Sequence, residues 1–463
     1  MEKRSGSLYG IDRDVLEARM KAYYDPSANW AQVEGIAAGL TRDAARFDAA
    51  ATRLKAQRLE KYQPGNLRRY ALRPLETVWA YYTAVRPVWN EPRPGLWAQC
   101  WEGNTFFLTR FQASASPEGP PFYFTPCLSD DHLLAPDAVA VPLRLKAAKP
   151  ASPPPGGTGD LFGGAATADP DAATANLSSA ARDYLNQLGL VDPDTNEGTA
   201  SLLWMHALAV GFSPAYLAEN EAGIRTNYPR VPLPAKREEL EASAALGHRI
   251  AALLNTEVPA PGITTGKVLP ELRVIGRTVR ADRKAELNPS VGDLAVTAGW
   301  GARTKSGVMP GRGDARVREY TPPERAALTA GVHADAALLL LGDRTFDIYL
   351  NEFACWENVP TAVWEYTIGG YQVIKKWLSY RERDVLGRDL TVDEAREVMG
   401  IIRRIAALLL LGPELDSNYR VVKAETYPWP DATADATDGA ADSGAITHDM
   451  DAASEGAGSN SDV

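Results

Sequence analysis

The run from Trp364 to Glu382 (WEYTIGGYQVIKKWLSYRE) leaves this chain few ways to fold. It combines large aromatics, a Gly369-Gly370 break, the adjacent lysines Lys375 and Lys376, and Arg381, with Arg383 just beyond. Ile368, Tyr371, Ile374 and Leu378 recur at helical spacing, flanked by Val373, Trp377 and Tyr380. That pattern predicts one amphipathic helix over most of the run. Gly369-Gly370 is the expected start of that helix, because glycine lets backbone amides approach a partner closely. The aromatic side belongs to a core, which leaves Gln372, Lys375, Lys376, Ser379 and Arg383 on a shared polar side.

At 463 residues the chain suits two or three domains, and 45% hydrophobic content is ample for globular folding. Cys100, Cys127 and Cys355 are odd in number and widely spaced, with no C-x-x-C. This argues for a reducing cytoplasm and against a disulfide framework or a zinc site. No signal-like N-terminus appears and no apolar run could span a bilayer; the apolar runs 336–341 and 405–411 end in glycine and read as core.

Charge is unevenly placed. From Asp431 onward there are eight acids and no Lys or Arg, so the formal −10 leaves about −2 on the first 430 residues. Residues 53–93 carry nine basic against three acidic residues, and 271–325 eleven against seven. A near-neutral body with basic stripes is compatible with DNA binding and equally with ordinary surface charge.

The pattern predicts an α+β chain of mixed helices and small sheets. Residues 1–65 form a helical entry segment, with a turn at Asp25-Pro26-Ser27 and a charged helix from Thr41 to about Lys61 carrying a stripe of Phe47, Leu54 and Leu59. Residues 66–146 are β-rich. The Pro/Gly/Ala-rich stretch 147–176 has no packable face and reads as a disordered linker. An α+β region over 177–430 follows. Its helices are expected over 180–188, 202–210 and 238–255, with a further short one opened by the Ser213-Pro214 cap. Leu272-Arg273-Val274-Ile275 and Leu294-Ala295-Val296-Thr297 are expected strands of a small twisted sheet, and 309–314 an exposed loop. Thr391 and Glu394 form a capping box for a helix with Val398, Ile402, Ile405 and Leu409 inward, stopped by Gly412-Pro413. Residues 431–463 read as a disordered acidic tail.

The sequence carries no complete catalytic pattern. None of the Pro-Pro pairs (Pro120-Pro121, those within 153–155, Pro322-Pro323) follows Asn or Asp, as the target loop of an adenine methyltransferase requires. Gly262-Ile263-Thr264-Thr265-Gly266-Lys267-Val268 approaches a phosphate loop but lacks one spacer and the Ser/Thr for Mg²⁺. Asp282-Arg283-Lys284 has nuclease-like spacing without an upstream Pro-Asp and reads as a solvated turn. His206, beside Trp204 and Met205 in an apolar helix, reads as a satisfied core imidazole. No catalytic residue, metal ligand or cofactor site is assigned to this chain.

The block 364–382, with Tyr349-Leu350-Asn351 and Trp356-Glu357-Asn358-Val359-Pro360 before it, resembles the C-terminal specificity region of type ISP restriction–modification enzymes. Those enzymes join nuclease, translocase, adenine-specific DNA methyltransferase and target-recognition parts in one chain. Tyr70-Ala71-Leu72-Arg73-Pro74-Leu75-Glu76, with Tyr81-Tyr82 and Arg93-Pro94, is similar to a signature near the end of the methyltransferase part, Leu75-Glu76 standing where Phe-Asp is usual. Leu128-Ser129-Asp130-Asp131-His132-Leu133, Val141-Pro142-Leu143, Pro214-Ala215-Tyr216 and 228–234 also fit, in order, from about residue 60 to 425.

The resemblance implies a target-recognition module for phage defence that positions double-stranded DNA for adenine N6 methylation and restriction. S-adenosylmethionine, ATP and Mg would belong to a separately encoded methyltransferase/nuclease-translocase partner. The chain would then be a split subunit or a truncated remnant. A structural protein-interaction subunit that never touches DNA, and a methyltransferase with a degenerate motif, are the competing readings. Recognition needs cations for phosphates and polar side chains for base edges. Arg68 and Arg69 before the β-rich region, Arg303, Lys305 and Arg312 in Gly-rich loops, and Gln372, Lys375, Lys376, Ser379 and Arg383 are the candidates. Arg73 and Glu76 share one signature, where a buried ion pair is the competing assignment.

Overall fold

The computed structural model describes residues 7–43, 47–90, 92–113, 118–146, 172–304, 307–331 and 334–429. Lys305, most of the expected 147–176 linker and the expected acidic tail lie outside these residues. The fold is α+β, as the pattern predicts. It has two main cores.

The first core lies between three N-terminal helices, Arg13–Tyr24, Trp30–Ala37 and Ala49–Leu59, and a four-stranded sheet. In that sheet Glu76–Tyr81 lies between Tyr9–Gly10 and Leu67–Arg73, all antiparallel, and Leu128–Ser129 joins the far edge in parallel. Leu16, Met20, Tyr23, Val33 and Tyr81 fill it. The expected helix over 41–61 is shorter, Ala49–Leu59, because Asp48 caps it by accepting from the Ala51 amide (2.8 Å). Its buried side is also different. Leu54 and Leu59 are exposed, while Ala49, Thr52, Arg53 and Ala56 face inward. Arg53 can be buried because it donates to the carbonyls of Tyr23 and Asp25 (2.9 and 2.7 Å).

The second core joins a three-stranded sheet (Tyr123–Thr125, Phe106–Thr109, Val139–Pro142) to the helices Glu197–Gly211 and Arg237–Leu254. These helices meet backbone to backbone, since a Cβ on Gly247 would fall 1.9 Å from the Met205 carbonyl oxygen. A second four-stranded sheet, wholly antiparallel, runs in the order Arg277–Arg280, Ala354–Pro360, Arg344–Tyr349, Asp314–Glu319. Helix Val392–Leu410 packs Val398, Ile402 and Ile405 into the same core. Its Thr391/Glu394 capping box is fully formed, and Gly412-Pro413 opens the next helix, Gly412–Ala424.

Four local expectations give way. Of the exposed loop expected over 309–314, Met309 and Pro310 belong to the strand Gly307–Pro310, paired with Gly301–Thr304, and Asp314 opens the next strand. Residues 270–273 form a helical turn started by Pro270, and the strand begins at Arg277. Residues 294–297 are a loop instead of a strand, buried at Leu294, Ala295 and Val296. Thr297 and Ala298 donate to the Leu350 carbonyl, and the Asn351 amide group donates to the carbonyls of Asp293 and Ala295, so the loop is satisfied without a neighbour strand. Ala173–Ala175, placed at the end of the linker, pairs antiparallel with Arg144–Lys146. Among the described residues no single helix is long and apolar enough to cross a membrane.

Candidate nucleic-acid interface

Gly369 and Gly370 do not begin the central helix. Both have positive φ (57° and 78°), the geometry of a two-residue turn joining Thr367–Ile368 to Tyr371–Gln372, and the helix runs Val373–Arg381. The close approach expected of these glycines is present in that turn. The Gly370 amide donates to the Glu118 carbonyl and the Gly369 carbonyl accepts from Ala135, each at 3.1 Å. A Cβ on Gly369 would lie 2.7 Å from Leu134.

The three signature segments meet around buried charge. Arg73, on the strand Leu67–Arg73, donates to Asp130 (2.8 Å), which also accepts from the Tyr70 hydroxyl (3.1 Å). The Arg73 guanidinium lies over the Tyr371 ring, 5.3 Å from its centre. Glu76 pairs instead with Arg381, whose guanidinium stacks on Trp377 at 4.1 Å. Arg73 and Glu76 are thus both buried in ion pairs, but with partners from other segments rather than with each other. Burial pushes the Glu76 carboxyl up to about 7 against the pull of Arg381. Asp130, Asp131 and His132 bring their ligand atoms within 4.8 Å of one another. Arg73 and Tyr70 already engage Asp130, and His132 engages Asp131 (2.9 Å). Their geometry is that of an ion-pair network.

The expected shared polar side of the central helix divides. Ser379 is fully buried and donates to the Lys376 carbonyl (2.7 Å). Lys376 is buried too, its ammonium donating to the Val308 carbonyl (3.1 Å) and lying 4.8 Å from the Tyr380 ring centre. Gln372 is half-buried and donates to the Trp364 carbonyl. Lys375 is half-buried, and Arg383 is exposed in an ion pair with Asp389 (3.2 Å). The two interior residues are inside because a two-stranded ribbon, Gly301–Thr304 with Gly307–Pro310, lies on this side of the helix.

The ribbon's seat is built from backbone. The Glu382 carboxylate accepts from the Gly299 and Trp300 amides (3.2 and 2.7 Å). The Arg383 amide donates to the Val296 carbonyl (2.7 Å), and the Arg303 guanidinium donates to the Val385 carbonyl. Arg303, Lys376, Ser379 and Arg383 are therefore brought together. Arg312 is exposed just beyond the ribbon, and its side chain has no hydrogen-bond or ion-pair partner among the described residues. Arg68 and Arg69 stand apart from this group. Arg69 is bound by both Glu257 oxygens (2.8 and 2.9 Å), and Arg68 is exposed, bonded to the Gly65 carbonyl and 5.7 Å from the centre of the Trp97 ring. Glu382 was not among the sequence candidates; a glutamate at a helix end gives no signal that it holds amides 82 residues away.

Two other motifs resolve simply. In the loop 260–265 the amides of Ile263, Thr264 and Thr265 donate to the Ala260 carbonyl, and that of Gly262 to the Thr265 carbonyl, so they are turned on their own turn. His206 is buried, with Nδ1 at 2.8 Å from Ser243 Oγ and Nε2 at 2.8 Å from the Pro232 carbonyl; burial lowers it to about 4.

No curated protein matches the chain. Similar solved structures include DrdV in a cryoEM DNA complex, at 14% identity over 92% of this chain and 35% of that one, TM-score 0.50. A nuclease-deletion mutant of the Type ISP restriction-modification enzyme LlaGI, in complex with a DNA substrate mimic, has 13% identity over 89% of this chain and 32% of that one, TM-score 0.47. The ATP-dependent Type ISP restriction-modification enzyme LlaBIII bound to DNA has 13% identity over 90% and 22%, TM-score 0.49. The chain spans about a third or less of the length of these proteins. Residues 1–403 match the family described as the Type ISP C-terminal specificity domain, and the chain belongs to that family.

Proposed function

We propose that this chain recognises a duplex DNA target in a type ISP-like restriction–modification system. It positions that DNA for adenine N6 methylation and restriction by a catalytic part outside this chain. Membership of a specificity-domain family over residues 1–403 carries this reading. The DNA present in the DrdV complex, whose fold this chain shares, supports it. Exposed Arg68, Arg312 and Arg383 and half-buried Lys375 supply cations of the kind that hold phosphates. S-adenosylmethionine, ATP and Mg belong to the methyltransferase/nuclease-translocase partner, encoded separately in this reading.

Selection from a random duplex library at about 0.15 M salt, where non-specific phosphate binding is weak, tests this. A recovered motif of several base pairs is expected. No enrichment, either alone or with the neighbouring methyltransferase added, would favour a structural subunit or a remnant.

A further inference from the structure

The ribbon made by Gly301–Thr304 and Gly307–Pro310 has two unlike faces. Its register pairs Gly301 with Pro310, Ala302 with Met309, Arg303 with Val308 and Thr304 with Gly307. Alternation places Gly301, Arg303, Val308 and Pro310 on one face and Ala302, Thr304 and Met309 on the other. The first face is seated on the protein at one end: a Cβ on Gly301 would lie 2.1 Å from the Ser379 carbonyl oxygen and the exposed Arg303 reaches the Val385 carbonyl, while Pro310 is exposed. The second face is open. Ala302, Thr304 and Met309 are all exposed, Met309 at 51%.

The mount beneath that open face is stiff. The Gly311 amide donates to the Trp300 carbonyl and that of Gly313 to the Gly299 carbonyl. Trp300 is fully buried, with its indole N–H on the Tyr349 carbonyl (2.7 Å). A Cβ on Gly313 would fall 2.0 Å from the Trp300 ring, so the chain cannot drift there. Glu382 and Lys376 tie the two ends of the ribbon to the central helix. A short ribbon on a rigid base, with one exposed face and the unpartnered Arg312 at its foot, has the shape a major groove admits.

We infer that this ribbon is the target-reading element. Its Ala302–Thr304–Met309 face meets base edges in the major groove, and Arg312 offers its guanidinium to a guanine edge or a phosphate beside it. Lys376 and Glu382 are positioning residues that set the ribbon's angle. The assignment rests on the DNA-recognition reading above.

The test is duplex selection and affinity measurement with the full chain, comparing wild type, Met309→Glu and Arg312→Ala. Leu339→Ala serves as control, altering a side chain 86% exposed on the separate helix Ala334–Leu341. Both test side chains are exposed, so thermal unfolding should not move. Met309→Glu is expected to erase preference at one or two adjacent positions and weaken binding roughly tenfold or more. Arg312→Ala should cost about tenfold, at one position if it reads guanine, or uniformly with a shallower salt dependence if it holds phosphate. Both variants returning the wild-type motif within about twofold, while wild type does select one, would overturn the ribbon assignment alone. A wild type that selects nothing would remove the recognition reading and this inference with it.

Discussion

The buried seam and the seated ribbon share one helix and use charge in opposite ways. At the seam, Arg73, Asp130, Glu76 and Arg381 are all inside, each with a charged partner from another segment; Glu76 and Arg381 are 305 positions apart. At the ribbon, Arg303 and Lys376 each give one hydrogen bond to a main-chain carbonyl, and Arg312 has no partner among the described residues. A buried pair adds little net stability over an apolar substitute, but losing half of it strands the other charge, so it enforces which segments must meet. An exposed ribbon on backbone contacts has no such demand on its outer side chains, which are free to vary. The densest motifs of this chain therefore report architecture, and the proposed reading face lies on the sparse outer side.

The largest expected effect breaks the seam. Measured above about pH 7, where Glu76 carries its charge, Arg381→Ala leaves that carboxylate buried without its cation and should destabilise the fold by about 3–5 kcal/mol, read from the denaturant midpoint. A loss below about 1 kcal/mol would mean that the seam does not lock the segments. Next in size is a pH effect. The folded Glu76 carboxyl stands at about 7 against an ordinary 4.5, so the folded state holds the proton more tightly. Its contribution is full below about 4.5 and lost as pH rises through about 7, amounting to at most about 3 kcal/mol. Glu76→Gln should flatten that part of the profile; parallel curves for the two proteins would refute it.

Much of this was legible in the chain and some of it could not be. The capping box at Thr391/Glu394 and the Ser213-Pro214 start depend on residues close in sequence, and they stand as read. His206 is also the satisfied core imidazole expected, on partners 26 and 37 positions away. The Gly-Gly pair is ambiguous in sequence because glycine allows both a helix start and a positive-φ hairpin, and the contacts with Glu118, Leu134 and Ala135 that favour the hairpin come from a distant segment. Lys376 and Ser379 sit on the polar side of a helix that sequence alone leaves open to water. A ribbon some seventy residues earlier covers them, and no periodicity announces a covering element. Arg73 and Glu76 are candidates for burial from their shared signature, but their partners, Asp130 and Arg381, come from distant segments. Pairings at such range are set by packing of the whole fold.

A third prediction sharpens the ribbon side. Gly301→Ala puts a methyl 2.1 Å from the Ser379 carbonyl, so the ribbon must lift from the helix. Specific affinity should fall about tenfold, with only a small change in thermal midpoint because the ribbon lies outside the two cores. An unaltered motif and affinity would show that the ribbon's angle is unimportant to recognition.

The smallest effect separates two neighbouring lysines. Lys375 is half-buried with no partner among the described residues, whereas Lys376 is buried, donates to Val308, and is pushed down to about 8 by burial and by Arg73 nearby. If Lys375 holds a phosphate, Lys375→Ala should weaken binding uniformly and reduce the slope of log affinity against log salt by about 0.9. Lys376→Met keeps the stem and removes the donor. It should leave that slope unchanged while lowering preference at every position the ribbon reads. A salt slope that follows Lys376 instead would place its ammonium on DNA, and the ribbon would have to move aside when the duplex binds.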